Sequence, residues 1–286
     1  MQTVLDILQK AEGYFREKGV PNPKIDAEWI VAHVLGKQRL QLFLEFERPL
    51  TEAELDGIRP LVRRRARREP LQHILGTTPF CGLSLKTDPR SLVPRPETEE
   101  LVEWIVEAES NPPPKCILDL GTGSGAIALA LAAAFPRAAV TAVDVSPDAL
   151  ALAQENAAAN ELVERVTFHE SDWYAGLSGQ TFDLVVANPP YLSDAEVASA
   201  EPEVREFEPR EALVSADAGT AALKAIIAGF PDHARPGARL YCETGIAQEA
   251  FLRETAEAAG LTDLTVRKDR SHRPRLFRAK RVDSGV

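Results

Sequence analysis

The sequence predicts an α/β protein in which a small all-helical domain and a hairpin linker precede a parallel sheet with helices on both faces. Three observations carry this. Apolar residues recur at helical spacing through the first seventy residues, the stretch from Pro70 to Pro96 breaks into short extended pieces, and strand-like and helix-like segments alternate beyond Asn111.

Val4, Leu8, Ala11 and Phe15 share one helical face, and Gly19, Pro21 and Pro23 close that segment. Asp26 opens a second helical stretch through Trp29, Ile30, His33 and Val34, with Gly36 as its stop signal. A third helical piece spans Leu40 to Phe46. Thr51 and Glu54 form a capping box, each satisfying an orphan amide at the start of a helix toward Arg68. Pro60 removes one hydrogen bond inside that helix, so a kink or break is expected there. The extended pieces around Phe80, Leu83 and Leu85, punctuated by glycine and proline, read as a hairpin.

Pro96 suits the first position of a helix through Leu101, Trp104 and Ile105, which ends at the prolines 112–114. After them come a strand Cys116 to Leu120, a helix Ala126 to Phe135, a strand Val140 to Val145, and a helix started by Ser146 and Pro147. Strands at Val166 to His169, Phe182 to Ala187 and Arg239 to Glu243 alternate with helices near Ala221 to Ile227 and through Phe251. Such alternation predicts a parallel sheet, whose ligands sit at the carboxyl ends of the strands.

Composition narrows the function classes. Lys+Arg 33 against Asp+Glu 43 leaves a net charge of −10, unsuited to non-specific attraction of a phosphate backbone, so no stable nucleic-acid binding is expected. Cys81, Cys116 and Cys242 are odd in number and lack ligand spacing, and the five histidines are scattered, so neither a disulfide framework nor a metal site is expected. The first residues lack a basic region followed by an apolar core, and no apolar run approaches the roughly 20 residues needed to cross a bilayer. A cytoplasmic monomer away from membranes is the expectation. Six arginines between Arg59 and Arg68, and the basic stretch from Arg267 to Arg281, can touch a partner or simply face solvent.

Asp119-Leu120-Gly121-Thr122-Gly123-Ser124-Gly125 follows the first strand of the alternating region and runs into an apolar helix. Glycines there let the backbone approach a ligand, and the free amides of the helix start attract negative charge. The turn satisfies a dinucleotide fingerprint as well as a methyl-donor site, and Asp144, at the end of the next strand, can hold a ribose hydroxyl pair in either case. Asp172 can accept from an adenine amino group, while Trp173 can form a wall of the pocket or pack in the core.

Asn188-Pro189-Pro190-Tyr191 follows a buried strand at the sheet edge where chemistry occurs in this architecture. An amide nitrogen is a poor nucleophile because its lone pair is delocalised, so it needs positioning more than deprotonation. The Asn188 side-chain oxygen and the Pro189 carbonyl can accept both N–H bonds of a substrate NH₂ and aim its nitrogen at a methyl about 3 to 3.5 Å away. The prolines stiffen the segment, and Tyr191 can pack on a planar substrate group. The motif therefore favours methyl transfer over hydride transfer.

Together these residues resemble the family of peptide-chain release factor glutamine N5-methyltransferases. The likeness includes Glu69 to Gly76, Leu92 to Glu99, Ile117 to Ala128, Ser171 to Trp173, Asn188 to Tyr191, Glu208 to Leu213, and Lys268-Asp269. It implies a helical bundle for substrate recognition over residues 1–70, a hairpin linker over 71–96, and a Rossmann-like seven-stranded methyltransferase domain over 97–286. It implies S-adenosylmethionine as cofactor, held by Gly121, Thr122, Gly123, Ser124, Gly125, Asp144, Trp173 and Asn188. Asn188, Pro189, Pro190 and Tyr191 would hold the glutamine of the Gly-Gly-Gln motif of class 1 release factors, with the segment around Arg95 bordering the site. Where the family has a glycine-rich stretch, this chain has Val214-Ser215-Ala216-Asp217-Ala218-Gly219. The same tetrapeptide occurs in enzymes that methylate exocyclic amino groups of adenine or guanine in DNA or RNA, which is the alternative reading; a nicotinamide-binding module using only the glycine turn is a third.

Overall fold

The computed structural model describes residues 1–282, and these divide into two compact units, one of residues 1–76 with 201–207 and one of residues 77–200 with those from 208 on. Residues 283–286, the end of the domain expected over 97–286, lie outside the described residues.

In the first unit α1 (Val4–Glu17) is capped by Thr3, whose hydroxyl accepts from the Asp6 amide while the Asp6 carboxylate accepts from Thr3. Its buried stripe of Val4, Leu8, Ala11 and Phe15 packs with Ile30 and Val31 of α2 (Pro23–Val34) and with Leu55 and Ile58 of α3 (Glu52–Ala66). The piece expected over Leu40 to Phe46 is a 3₁₀ helix at Arg39–Leu44. Of the kink or break expected at Pro60, a break does not occur, and α3 continues through it. Pro60 and Asp56, whose carbonyl loses its donor, are both exposed, so water can satisfy that carbonyl. A short α4 (Leu71–Leu75) ends at Gly76.

The arginines of α3 are largely spent on ion pairs. Arg59 pairs with Glu52 and Asp56, Arg64 with Glu69, and Arg68, just past the helix, with Glu201 and Glu203. Arg65 is buried and reaches Asp26 at 2.7 Å and Glu203 at 2.8 Å. Burial raises the pKa of the Asp26 carboxyl, a tendency that its bond with Arg65 opposes. Glu203 is thus part of this unit although it lies more than 130 residues along the chain.

The second unit opens with the hairpin β1 (Thr77–Phe80) and β2 (Leu83–Lys86), followed by α5 (Pro96–Ala108). Its sheet runs in the order β5, β4, β3, β6, β7, β9, β8. The strands β3 (Cys116–Leu120), β4 (Ala139–Asp144), β5 (Val166–Glu170), β6 (Phe182–Ala187) and β7 (Ala234–Glu243) are mutually parallel. Their crossovers include α6 (Ala126–Ala134) and α7 (Pro147–Ala159). Between β6 and β7 the chain forms α8 (Asp194–Ser199), α9 (Pro202–Phe207) of the first unit, the single turn α10 (Ala216–Gly219) and α11 (Ala221–His233). After α12 (Glu249–Ala258), β8 (Leu261–Lys268) and β9 (Pro274–Arg281) complete seven strands.

The sheet is not wholly parallel as alternation alone predicts: β9 runs antiparallel to both β7 and β8. The connection between β8 and β9 is too short for a crossover helix, so they must pair as a hairpin. Strands β3 and β6 are covered on both faces, which is why Ile117, Leu118, Leu120 and Leu184 to Ala187 are nearly inaccessible.

Candidate active site

The chain leaves β3 for β4 on one side and returns to place β6 on the other, so the order reverses at β3. That is where a parallel sheet opens a crevice for ligands. A cavity lies there, lined by the glycine turn after β3, Asp144 at the end of β4, Trp173 beyond β5, and Asn188 and Pro190 beyond β6.

Of the residues read from the sequence, Gly121, Thr122, Gly123, Ser124, Asp144, Trp173, Asn188 and Pro190 line this cavity. Gly125, Pro189 and Tyr191 do not. Gly125 serves packing: a β-carbon on it would stand 3.1 Å from the Ala153 β-carbon and 3.3 Å from Leu129. Asp172 is exposed and outside the lining. Tyr191 lies under the Arg275 guanidinium, 5.2 Å from its ring centre, and its hydroxyl donates to Glu243 at 2.8 Å. Burial pushes that phenol's pKa up, so it stays a donor.

The glycine turn is held from below. The Asp144 carboxylate accepts from the Gly123 amide at 2.8 Å and from the Ser146 amide at 2.9 Å, and the Thr122 amide donates to the Val143 carbonyl. Burial raises the Asp144 pKa against these backbone bonds. A β-carbon on Gly123 would lie 2.8 Å from Ser91 Oγ, so only glycine keeps this cradle open.

Asp119, which sequence reasoning passed over, is fully buried at the base of the turn. Its Oδ2 accepts from Thr122 Oγ1 at 2.6 Å and from the Ala128 amide at 3.1 Å, while Oδ1 has no partner. Burial outweighs these bonds and raises its pKa to about 7. A buried acceptor beside a ligand cradle was signalled only by its place at the head of the glycine motif.

The charged residues of the lining are Arg90, Asp144 and Glu211, and Arg90 is already bound to Asp88 and Glu155. A pyrophosphate would find no uncommitted cation among them, whereas a nucleoside carrying positive charge suits this acidic wall. The described residues contain no cluster suited to a metal ion.

Two other segments complete the cavity, contributing Arg90, Ser91, Leu92 and Pro94 before α5, and Pro209, Glu211 and Ala212 after α9. Glu208 ties them together, accepting from the Val93 amide at 3.1 Å and from Arg95 at 2.5 Å. Burial raises the Glu208 pKa, and Arg95 acts against it. Arg95 thus braces the rim rather than lining the cavity.

Asn188 follows β6 in register beside the end of β7, since Ala187 pairs with Cys242. Its Nδ2 donates to Thr98 Oγ1 at 3.1 Å, and Thr98 donates to Glu243 Oε2 at 2.7 Å. The other oxygen of Glu243 receives the Tyr191 hydroxyl. Asn188 itself lines the cavity, and with its Nδ2 spent on Thr98 and no hydrogen bond to its Oδ1 among the described residues, that oxygen can accept an N–H bond.

Known proteins share this sequence and fold. The model of the PrmC N-terminal domain matches residues 6–76, and that of the methyltransferase small domain matches residues 98–204. The release factor glutamine methyltransferase of Geobacter sulfurreducens is 41% identical over 267 residues, covering 93% of both chains. That of Deinococcus radiodurans is 40% identical, covering 97% of this chain and 98% of the relative. Among solved structures, a methyltransferase from Pyrococcus furiosus aligns with a TM-score of 0.55 over 77% of this chain and 98% of that one, at 18% identity, a likeness of fold.

Proposed function

The chain belongs to the release factor glutamine methyltransferase family, and on that premise we propose that it methylates the side-chain amide nitrogen (N5) of the glutamine in the Gly-Gly-Gln motif of class 1 peptide-chain release factors. The methyl donor is S-adenosylmethionine, whose sulfonium supplies an electrophilic methyl group. The observation that carries the reading is that Asn188, its Nδ2 held by Thr98, lines the same acidic cavity as the glycine turn.

The residues present fit that donor. Gly121 to Ser124 would accommodate its nucleoside through close backbone approach, and Asp144 would take the ribose hydroxyls with lone pairs left over from its bonds to Gly123 and Ser146. The buried Asp119 carboxyl, once ionised above its pKa of about 7, adds negative potential that favours a cation nearby. Trp173 forms an apolar wall.

Asn188 Oδ1 would accept one substrate N–H bond and the Pro189 carbonyl the other, so the nitrogen lone pair is turned toward the methyl group. Holding the amide in that pose supplies the entropic part of the barrier before chemistry begins. No side chain need act as base, because the nitrogen becomes acidic only as its new bond to carbon forms, and its surplus proton then leaves to solvent water.

Among the described residues no helix is long and apolar enough to cross a membrane. We place the protein in the cytoplasm as a monomer that forms no stable complex with nucleic acid, in keeping with its net charge of −10.

The test is incubation with isotopically labelled S-adenosylmethionine and an unmodified release factor, followed by mass spectrometry of the Gly-Gly-Gln peptide. One methyl on that glutamine is expected. Label appearing instead on nucleic acid would sink the reading in favour of exocyclic amino methylation. An Asn188→Ala variant should lose far more turnover than cofactor affinity.

A further inference from the structure

We propose that Thr98 and Glu243 are positioning residues that lock the amide of Asn188 in one flip state, with its oxygen facing the substrate. The proposal rests on the reading of Asn188 as the acceptor for the substrate amide.

The argument is one of proton inventory. A carboxylate only accepts hydrogen bonds, and a threonine hydroxyl has a single proton. Glu243 lies at the end of β7, is 1% exposed, and takes the Thr98 proton on Oε2 at 2.7 Å and the Tyr191 proton on Oε1 at 2.8 Å. Toward Asn188, Thr98 Oγ1 can therefore offer only lone pairs, and it takes the Nδ2 donor at 3.1 Å. The amide has no second choice, because turning its oxygen toward Thr98 would set two acceptors face to face. Oδ1 must then point away from Thr98, toward the cavity that Asn188 lines.

The lock matters because the two ends of an asparagine amide are nearly identical in shape and opposite in hydrogen bonding. A free Asn188 would spend part of its time presenting NH₂ to a substrate NH₂, a donor against a donor. Nothing in the tetrapeptide itself prevents this. The control comes from α5 and β7, elements with no share in the motif, and Glu243 also anchors Tyr191 at the motif's other end. One buried carboxylate thereby sets the polarity of the whole Asn-Pro-Pro-Tyr loop.

The test uses full-length Thr98→Val, Thr98→Ser and Glu243→Gln variants with release factor as substrate and S-adenosylhomocysteine as binding probe. Val matches Thr in shape but leaves the buried Glu243 oxygen without its donor, so T98V should lose some stability yet keep its Kd for the probe within about twofold while kcat falls roughly 100-fold, the scale seen when one preorganised polar contact is removed. T98S keeps the hydroxyl and should recover most of kcat. E243Q can donate as well as accept and should lose about tenfold, the scale of one weakened hydrogen bond. A merely structural role would lower probe affinity in step with kcat, and T98S would not rescue it. In the wild-type protein labelled with ¹⁵N-asparagine, the Asn188 NH₂ protons should show a nuclear Overhauser effect to the Thr98 side chain. This signal needs neither substrate nor variant. T98V turning over within threefold of wild type, T98S no better than T98V, or absence of that signal each overturns the lock. Wild-type protein that leaves release factor unmethylated would instead overturn the underlying reading of Asn188.

Discussion

A β-carbon on Gly219 would stand 2.3 Å from the carbonyl oxygen of Tyr191, an approach that only glycine allows. The Gln248 side chain bridges the same two residues, donating to the Tyr191 carbonyl at 3.2 Å and to that of Gly219 at 3.0 Å. The Leu192 amide donates to Leu213, and the Ser215 amide to Leu192. The chain from Leu213 to Gly219 thus clamps the exit of the Asn-Pro-Pro-Tyr loop. Gly219 also has φ +88, where other residues are strained. Gly219→Ala should cost about 2 to 4 kcal/mol from left-handed strain plus overpacking, and should reduce methylation by displacing Tyr191. Urea midpoints and turnover measure the two effects; an unchanged midpoint would contradict the clamp.

The two residues before it are also left-handed without being glycine, Asp217 at φ 54 and Ala218 at φ 55. This is where the family resemblance leads one to expect glycines, the residue that takes a left-handed backbone without strain. Ala218 is exposed and its side chain is dispensable. Ala218→Gly should therefore stabilise the protein by about 1 kcal/mol, read as a higher urea midpoint at unchanged slope.

The stability of the catalytic unit should depend on Asp119. Its carboxyl has an ordinary pKa of 3.8 and a folded value of about 7, so the folded state holds an extra proton between those values. Stability consequently falls as pH rises through that window, by up to roughly 4 kcal/mol for some three pH units at 1.36 kcal/mol each. Asp119→Asn removes the titration. The wild-type minus variant difference should fall between about pH 4 and 7 and be level above, with other carboxylates cancelling; a flat difference would refute it.

In the helical unit, Arg65→Met should be costly. It leaves Asp26 buried without its partner and removes one of the two arginines holding Glu203. Breaking one side of a buried ion pair costs about 3 to 5 kcal/mol. Denaturation followed by helical circular dichroism should show the helical unit melting early, with cofactor binding by the other unit retained.

What the sequence determined alone is whatever local physics writes locally. Strands β3 and β6 were legible because a strand covered on both faces needs a nearly continuous apolar run, here Cys116 to Leu118 and Leu184 to Ala187. The starts of α3 and α7 were legible because Thr51, Glu54 and Ser146 satisfy helix-end amides within three or four residues. The first half of β7 was not, since Pro236 and Gly237 imitate a turn; nor were the pairings of β8 and β9, whose many charged residues leave little apolar pattern. Motif spacing likewise exposed the glycine turn and the tetrapeptide.

Only the tertiary structure decided what meets across distance. Glu203 joins Arg65 and Arg68 from more than 130 positions away, and Thr98 stands 90 positions before Asn188 and 145 before Glu243. A threonine in the first turn of a helix and a glutamate closing a strand carry no sequence pattern of their own. Which donor meets which acceptor is set by strand order and register, and with it the direction in which the Asn188 oxygen points.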